Sequence, residues 1–162
     1  MTLKIVRRAA GAECASTLAE LPEWFGIPQS NAEYAEAAER ERAWVAEDDG
    51  ETLGLMVLID TGFAALDVHL LAVRPRAHRR GVGRALIGHA RDATRSLGKP
   101  FLTVKTQGPS AGYEPYDRTR RFYEAVGFKG LEELTEIWGP ENPCLIMIMP
   151  VPQLRGAAGK PD

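Results

Sequence analysis

One crossover limits what this chain can fold into. An apolar run, Ala65 to Val73, leads through a glycine- and arginine-rich turn, Arg79-Arg80-Gly81-Val82-Gly83-Arg84, into a helical pattern that starts at Val82. Val82, Leu86, Ala90, Ala93 and Leu97 recur at helical spacing, and Gly98 and Pro100 stop the pattern. Phe101 to Thr106 then reads as another strand. Strand, helix, strand in that order predicts a crossover, with the two strands parallel.

The rest of the chain reads differently. Leu3 to Arg8 alternates as an opening strand. Ala12 to Glu20 and Ala32 to Glu41 read as helices, separated by an apolar loop with Trp24, Phe25, Gly26 and Pro28. Trp44 to Glu47 and Thr52 to Asp60 flank Asp49-Gly50, a hairpin signal. A loop over Gln107 to Pro115 precedes a short helix, Asp117 to Val126, with Gly127 as its stop. Leu131 to Ile137 and Leu145 to Met149 read as closing strands. The expectation is one α/β (α+β) domain over residues 1–150, with a mixed, mostly antiparallel sheet and a single central βαβ unit. Residues 151–162, rich in Gly, Ala and Pro, are expected to form a flexible tail.

Composition removes several classes of function. The 162 residues suffice for one domain with a real core, and the formal charge of -2 provides no global field for nucleic acid or an anionic membrane. No apolar run approaches the ~20 residues of a membrane span, and the N-terminus shows no signal-peptide core. Cys14 and Cys144 are far apart and make no metal-ligand spacing, so no metal is expected and a reduced, cytoplasmic setting is the simplest reading. Against this background Arg74, Arg76, Arg79, Arg80 and Arg84, with His78, form a local basic site.

A glycine turn at a helix N-terminus suits a phosphate, because free N–H groups and the positive end of the helix dipole converge there. A triphosphate loop would need Lys-Ser or Lys-Thr after the glycines, and a dinucleotide fold a third glycine at position 86 and an acid on the next strand. Leu86 and Phe101–Thr106 meet none of these needs.

The stretch Leu71-Ala72-Val73 followed by His78-Arg79-Arg80-Gly81-Val82-Gly83-Arg84 resembles the pyrophosphate loop of the GNAT N-acetyltransferase superfamily. Phe122-Tyr123-Glu124-Ala125-Val126-Gly127-Phe128 resembles that family's downstream Phe-Tyr-x-x-x-Gly-Phe element. The resemblance covers roughly Thr52 to Met149. It departs at His78, where members usually carry Gln or Arg.

The resemblance implies a sheet of about seven strands with helices on both faces, and acetyl-CoA as co-substrate. His78, Arg79, Arg80, Gly81, Val82, Gly83 and Arg84 would then surround the pyrophosphate. Leu71, Ala72 and Val73 would form the strand edge for pantetheine, with Phe122 beside it. Tyr123 would be the acid that protonates the leaving thiolate, and Asp67 occupies the position of a family base. His69, two residues on, would point the same way in a regular strand and is the other candidate base.

The acceptor is expected to be an amine, on a small molecule or a peptide. Trp24, Phe25, Tyr34, Tyr113, Tyr116 and Trp138, with Glu23, Glu33, Glu36 and Asp117, would suit a cationic one. The alternative is a non-catalytic acyl-CoA-binding or regulatory module, which would not need Tyr123. A homodimer is possible within this reading.

Overall fold

The computed structural model describes residues 1–154. In chain order the elements are β1 (Leu3–Arg8), α1 (Gly11–Ala19), α2 (Pro28–Arg40), β2 (Ala43–Asp48), β3 (Glu51–Asp60), β4 (Ala65–Val73), α3 (Val82–Ser96), β5 (Phe101–Gln107), α4 (Glu114–Val126), β6 (Lys129–Leu134) and β7 (Cys144–Pro150). Single 3-10 turns cover Pro75–Ala77 and Pro109–Ala111.

The seven strands form one sheet, in the order β1-β2-β3-β4-β5-β7-β6. Only β4 and β5 pair in parallel; every other neighbour is antiparallel. The expected crossover and meander are therefore both present.

Helices cover both faces. On one, Val82, Leu86, Ile87 and Ala90 of α3 and Tyr123 of α4 meet Leu66, Val68, Leu102 and Val104 of the central strands. On the other, Cys14 and Leu18 of α1 and Ala37 and Ala38 of α2 meet Val45, Leu55, Leu70 and Ala72. Strand alternation supplies both faces, because β4 and β5 are buried on two sides. Each fully buried leucine here, Leu86 for example, contributes roughly 2 kcal/mol by its removal from water.

Differences from the expected elements have local causes. α2 begins at Pro28, four residues early, because proline at the first helical turn already has the required φ and needs no N–H partner. Leu97 lies past the end of α3 and is exposed, and the buried stripe ends instead on Thr94, whose hydroxyl donates to the Ala90 carbonyl at 2.7 Å. β6 ends at Leu134, and Ile137-Trp138-Gly139 turns away, with Gly139 at φ 89. The start of the expected tail packs on the body: Val151 N–H donates to the Pro100 carbonyl at 2.8 Å, and Arg95 Nε to that of Pro152 at 3.0 Å. Residues 155–162 of that tail lie outside the described residues. No described helix is long and apolar enough to cross a membrane.

Candidate active site

The parallel pair opens partway along its length. β4 and β5 are in register from Ala65↔Phe101 to Val68↔Val104, and no pairing continues beyond that point. β5 goes on to Gln107 paired only with β7, while β4 goes on to Val73 paired only with β3. The result is a wedge in the sheet that opens into a cleft of about 1240 Å³.

Leu71 and Val73 present their backbones to this wedge. Arg74 N–H bonds to the Leu53 carbonyl on β3, and backbone groups alternate along a strand. Ala72 therefore turns to β3, and Leu71 and Val73 turn their N–H groups to the open side. The Val73 carbonyl already has a partner, the His78 ring, whose Nε2–H donates to it at 2.7 Å. That contact fixes the tautomer, since a carbonyl can only accept. It also gives the His78 side chain a role in holding the turn against the end of β4.

The turn itself is a backbone cradle. Arg79 (φ 60) and Gly81 (φ 81) are both left-handed, a conformation that bends successive N–H groups toward one point. A Cβ at Gly81 would touch nothing, so glycine is needed there for its φ. Gly83 is needed for space: a Cβ would lie 3.0 Å from Phe122 Cζ. Phe122 thus packs on Gly83, at the mouth of α3. The first bond of α3 runs from Ala85 N–H to the Gly81 carbonyl, which leaves the N–H groups of Val82, Gly83 and Arg84 without helical partners.

The arginines divide into two groups. Arg74 is a structural clamp, bonded to Glu20, to Ser16 Oγ at 2.6 Å and to the Thr52 carbonyl at 2.9 Å. Arg76 pairs with Glu51 at 2.8 Å. Arg79 and Arg84 line the cleft, and Arg80 does not. The free N–H groups, the two arginines and the wedge together fit a long, flexible molecule with a pyrophosphate, which is the shape and charge of acyl-CoA.

Tyr123 reaches the wedge from α4. It is 5% exposed and lines the cleft, with its ring held between Phe122 and Phe128, each at 5.4 Å. Gly127 (φ 115) ends α4, and the Phe128 N–H returns to the Tyr123 carbonyl at 2.9 Å, so the C-cap fixes the backbone that carries the phenol. Its hydroxyl makes no hydrogen bond among the described residues. Burial pushes the phenol well above its usual pKa of 10, helped by Tyr116 and Asp67 nearby, so it keeps its proton at neutral pH.

The two candidate bases separate. β4 bulges where Val57 pairs with Leu70 and Leu58 with Val68, leaving His69 as the extra residue. The strand is therefore not regular between Asp67 and His69. His69 lines the cleft, 5.3 Å from the Tyr34 ring. Partial burial pulls its pKa below the usual 6.5, with Lys105 adding to the drop and Asp67 opposing it. Asp67 is 9% exposed and does not line the cleft. It accepts from Thr103 Oγ1 at 2.8 Å and lies 3.7 Å from Lys105 Nζ.

A strap closes one side of the cleft. The loop after α1 is tied to the start of α4: Trp24 Nε1–H donates to the Pro115 carbonyl and to Thr119 Oγ1, both at 3.0 Å, Tyr113 Oη to the Glu23 carbonyl at 2.8 Å, and Tyr116 Oη to that of Trp24 at 2.9 Å. Arg118 lies over the Trp24 ring at 5.2 Å, and that ring meets His78 edge-on at 6.3 Å. The aromatic residues expected near the acceptor do gather here. The acidic rim does not: Glu33 and Glu36 do not line the cleft, Asp117 pairs with Arg120, and Glu23 lies 3.5 Å from Arg118.

Three residues had no signal in the sequence. Asn31, Thr106 and Gln107 line the cleft, and each carries a buried side-chain oxygen without a hydrogen-bond partner. Their meeting in one cleft depends on the tertiary packing of α2 and the end of β5, which no local pattern encodes.

The comparisons with known proteins agree with this geometry. The family model for the acetyltransferase (GNAT) domain matches residues 39–130. Mycothiol acetyltransferase of Beutenbergia cavernae is 34% identical over 87 residues, 52% of this chain and 27% of that protein. The peptidyl-lysine N-acetyltransferase YiaC of Escherichia coli is 30% identical over 112 residues, 68% of this chain and 64% of that protein. The chain thus spans less than two thirds of the length of either relative. A GNAT-family structure from Desulfovibrio desulfuricans superposes with a TM-score of 0.82 at 20% identity, covering 93% of this chain and all of that one. Other structures of this fold hold coenzyme A or acetyl-CoA. This chain belongs to the GNAT acetyltransferase family.

Proposed function

We propose that the protein transfers an acetyl group from acetyl-CoA directly to an amine, with both substrates bound together in the cleft. The observation that carries this reading is the meeting of a sheet wedge, a phosphate cradle and a protonated, unpaired phenol in one cleft. The family's name and the coenzyme-bound structures of the same fold support the donor.

Val82, Gly83 and Arg84 N–H groups, with the Arg79 and Arg84 guanidinium groups, hold the pyrophosphate. The N–H groups of Leu71 and Val73 hold the pantetheine arm and polarise the acetyl carbonyl, an oxyanion-type role. Acetyl-CoA, when bound, supplies an acyl carbon already activated as a thioester.

His69 removes the proton from the amine. An alkylammonium of pKa about 10.4 is neutral only about once in a few thousand molecules at pH 7, so a positioned base matters. The depressed pKa of His69 keeps its imidazole neutral and able to accept. Asp67, behind it and bonded to Thr103, acts on the base through its charge.

Tyr123 holds its proton ready for the departing sulfur. A raised phenol pKa makes a reliable proton carrier but a weaker acid. The same dry surroundings would raise the basicity of a thiolate formed beside it, which keeps donor and acceptor matched.

Incubating the protein with acetyl-CoA and an amine panel, and measuring free thiol with acetylated product, tests the reading. Equal amounts of thiol and product are expected. Tight binding of acetyl-CoA, with no product from any amine, would favour the non-catalytic module instead.

A further inference from the structure

The side chains that face the amine end of the cleft have an unexpected charge pattern. Among the described residues Glu23 is the one acidic side chain lining it, and Arg118 lies 3.5 Å from that carboxylate. Away from the phosphate cradle, Lys105 lines the cleft on β5, just past the last β4–β5 pair, Val68↔Val104. Its side chain is 40% exposed and forms an ion pair with Asp67 at 3.7 Å, a separation too long for a hydrogen bond, so the ammonium N–H groups stay open to an anion in the cleft, while Asp67 accepts from Thr103. A polyamine or aminoglycoside would find no free carboxylate here and a lysine in its way.

The same cleft carries unpaired oxygens. Asn31 Nδ2 donates to the Phe25 carbonyl at 2.8 Å, which fixes the amide and leaves Oδ1 as the buried atom without a partner. Asn31 lies three residues before Tyr34, on the same face of α2, and Tyr34 packs on His69. Gln107 donates through Nε2 to Asn142 Oδ1 at 3.3 Å, and its Oε1 is likewise buried and unpaired. Lys105 and Gln107 are two apart on β5, on one face of the strand and about 6.6 Å from each other. An ammonium carries three N–H groups. Asn31 Oδ1, Gln107 Oε1 and the neutral His69 ring are three acceptors lining the same cleft.

We propose that the acceptor is an amine with a carboxylate close beside it, a zwitterion of amino-acid type. Lys105 reads the anion, and the side-chain oxygens of Asn31 and Gln107 take the amine N–H groups. This rests on the acetyl-transfer reading above and makes Lys105 the specificity-determining residue within it.

The test uses matched pairs that differ only in the carboxylate: phenylalanine with phenethylamine, lysine with cadaverine, glutamine with 4-aminobutanamide. Spermidine and a dipeptide amide are added, and thiol release and acetylated product are followed on the full chain. The expected result is at least tenfold higher kcat/KM for the carboxylate-bearing member of each pair, and little activity on spermidine or the dipeptide amide. Lys105→Ala should cut that preference about tenfold, Lys105→Arg should keep it, and Lys105→Glu should turn it toward spermidine. Acetyl-CoA affinity, read by tryptophan fluorescence, checks that each variant is folded. Preference for spermidine, the dipeptide amide or the decarboxylated amines by the wild type would overturn the inference and leave acetyl transfer standing. So would a preference unmoved in a folded Lys105→Ala variant. Bound acetyl-CoA with no product from any amine would instead overturn acetyl transfer, and this inference with it.

Discussion

One wall of the cleft comes from a single stretch of chain, Leu71 to Arg84, whereas a second wall draws on Trp24, Asn31, Tyr34, Lys105, Tyr116 and Asn142, from separate segments. The first wall works mainly through backbone: the N–H groups of Leu71 and Val73, the left-handed turn at Arg79 and Gly81, and the open start of α3. The second works through side chains held by long-range bonds, such as Trp24 Nε1–H to Thr119 Oγ1 across 95 residues. A wall of backbone tolerates many side chains and fixes one ligand shape. A wall of side chains can be changed residue by residue, so the same fold can serve different acceptors.

If the two walls serve two substrates, substitutions on each should move different constants. Tyr123 stands between them and should give the largest effect. Tyr123→Phe is expected to lower kcat by about 10²-fold or more, with acetyl-CoA affinity nearly unchanged, in steady-state thiol-release assays. Equal rates for the variant and the wild type would remove the phenol from the chemistry.

On the backbone wall, Gly83→Val would force side-chain atoms against Phe122, already 3.0 Å from an added Cβ. Acetyl-CoA affinity should fall by about tenfold or more, about 1.4 kcal/mol, while acceptor KM stays put. A changed acceptor KM at constant donor affinity would break the division between the walls.

His69 should leave its mark in the pH profile. A base with a depressed pKa is protonated, and inactive, only at low pH, so kcat/KM should rise with pH to a plateau, with the midpoint of the rise below 6.5. In His69→Asn that acid limb should vanish and the plateau should drop; retention of the limb would point to another base. The smallest effect is expected for His78→Ala. It removes the 2.7 Å bond to the Val73 carbonyl and the edge contact with Trp24, and should raise KM for acetyl-CoA by a few-fold without altering kcat.

The contrast between the walls also explains what the sequence could reveal. The turn, its two glycines and the crossover are contiguous, so spacing alone outlines them; β4 runs from Ala65 to Val73 as expected. Tyr123 is legible because its helix stop, Gly127, lies four residues away. The His69 bulge was not legible, since it is a register shift against β3 and leaves no pattern in β4 itself. Arg74 and Arg76 look like phosphate ligands in a one-dimensional cluster, yet their partners Glu20 and Glu51 come from distant segments. Asn31 and Gln107 are ordinary polar residues until α2 and β5 bring both to the cleft.

Backbone amide exchange at Leu71 and Val73, followed by NMR with and without acetyl-CoA, tests the central claim most directly. If the wedge between β4 and β5 receives the pantetheine arm, both amides become protected when acetyl-CoA binds, while that of Ala72, already turned to β3, changes little. Saturated binding of acetyl-CoA with the Leu71 and Val73 amides still exchanging freely would contradict it.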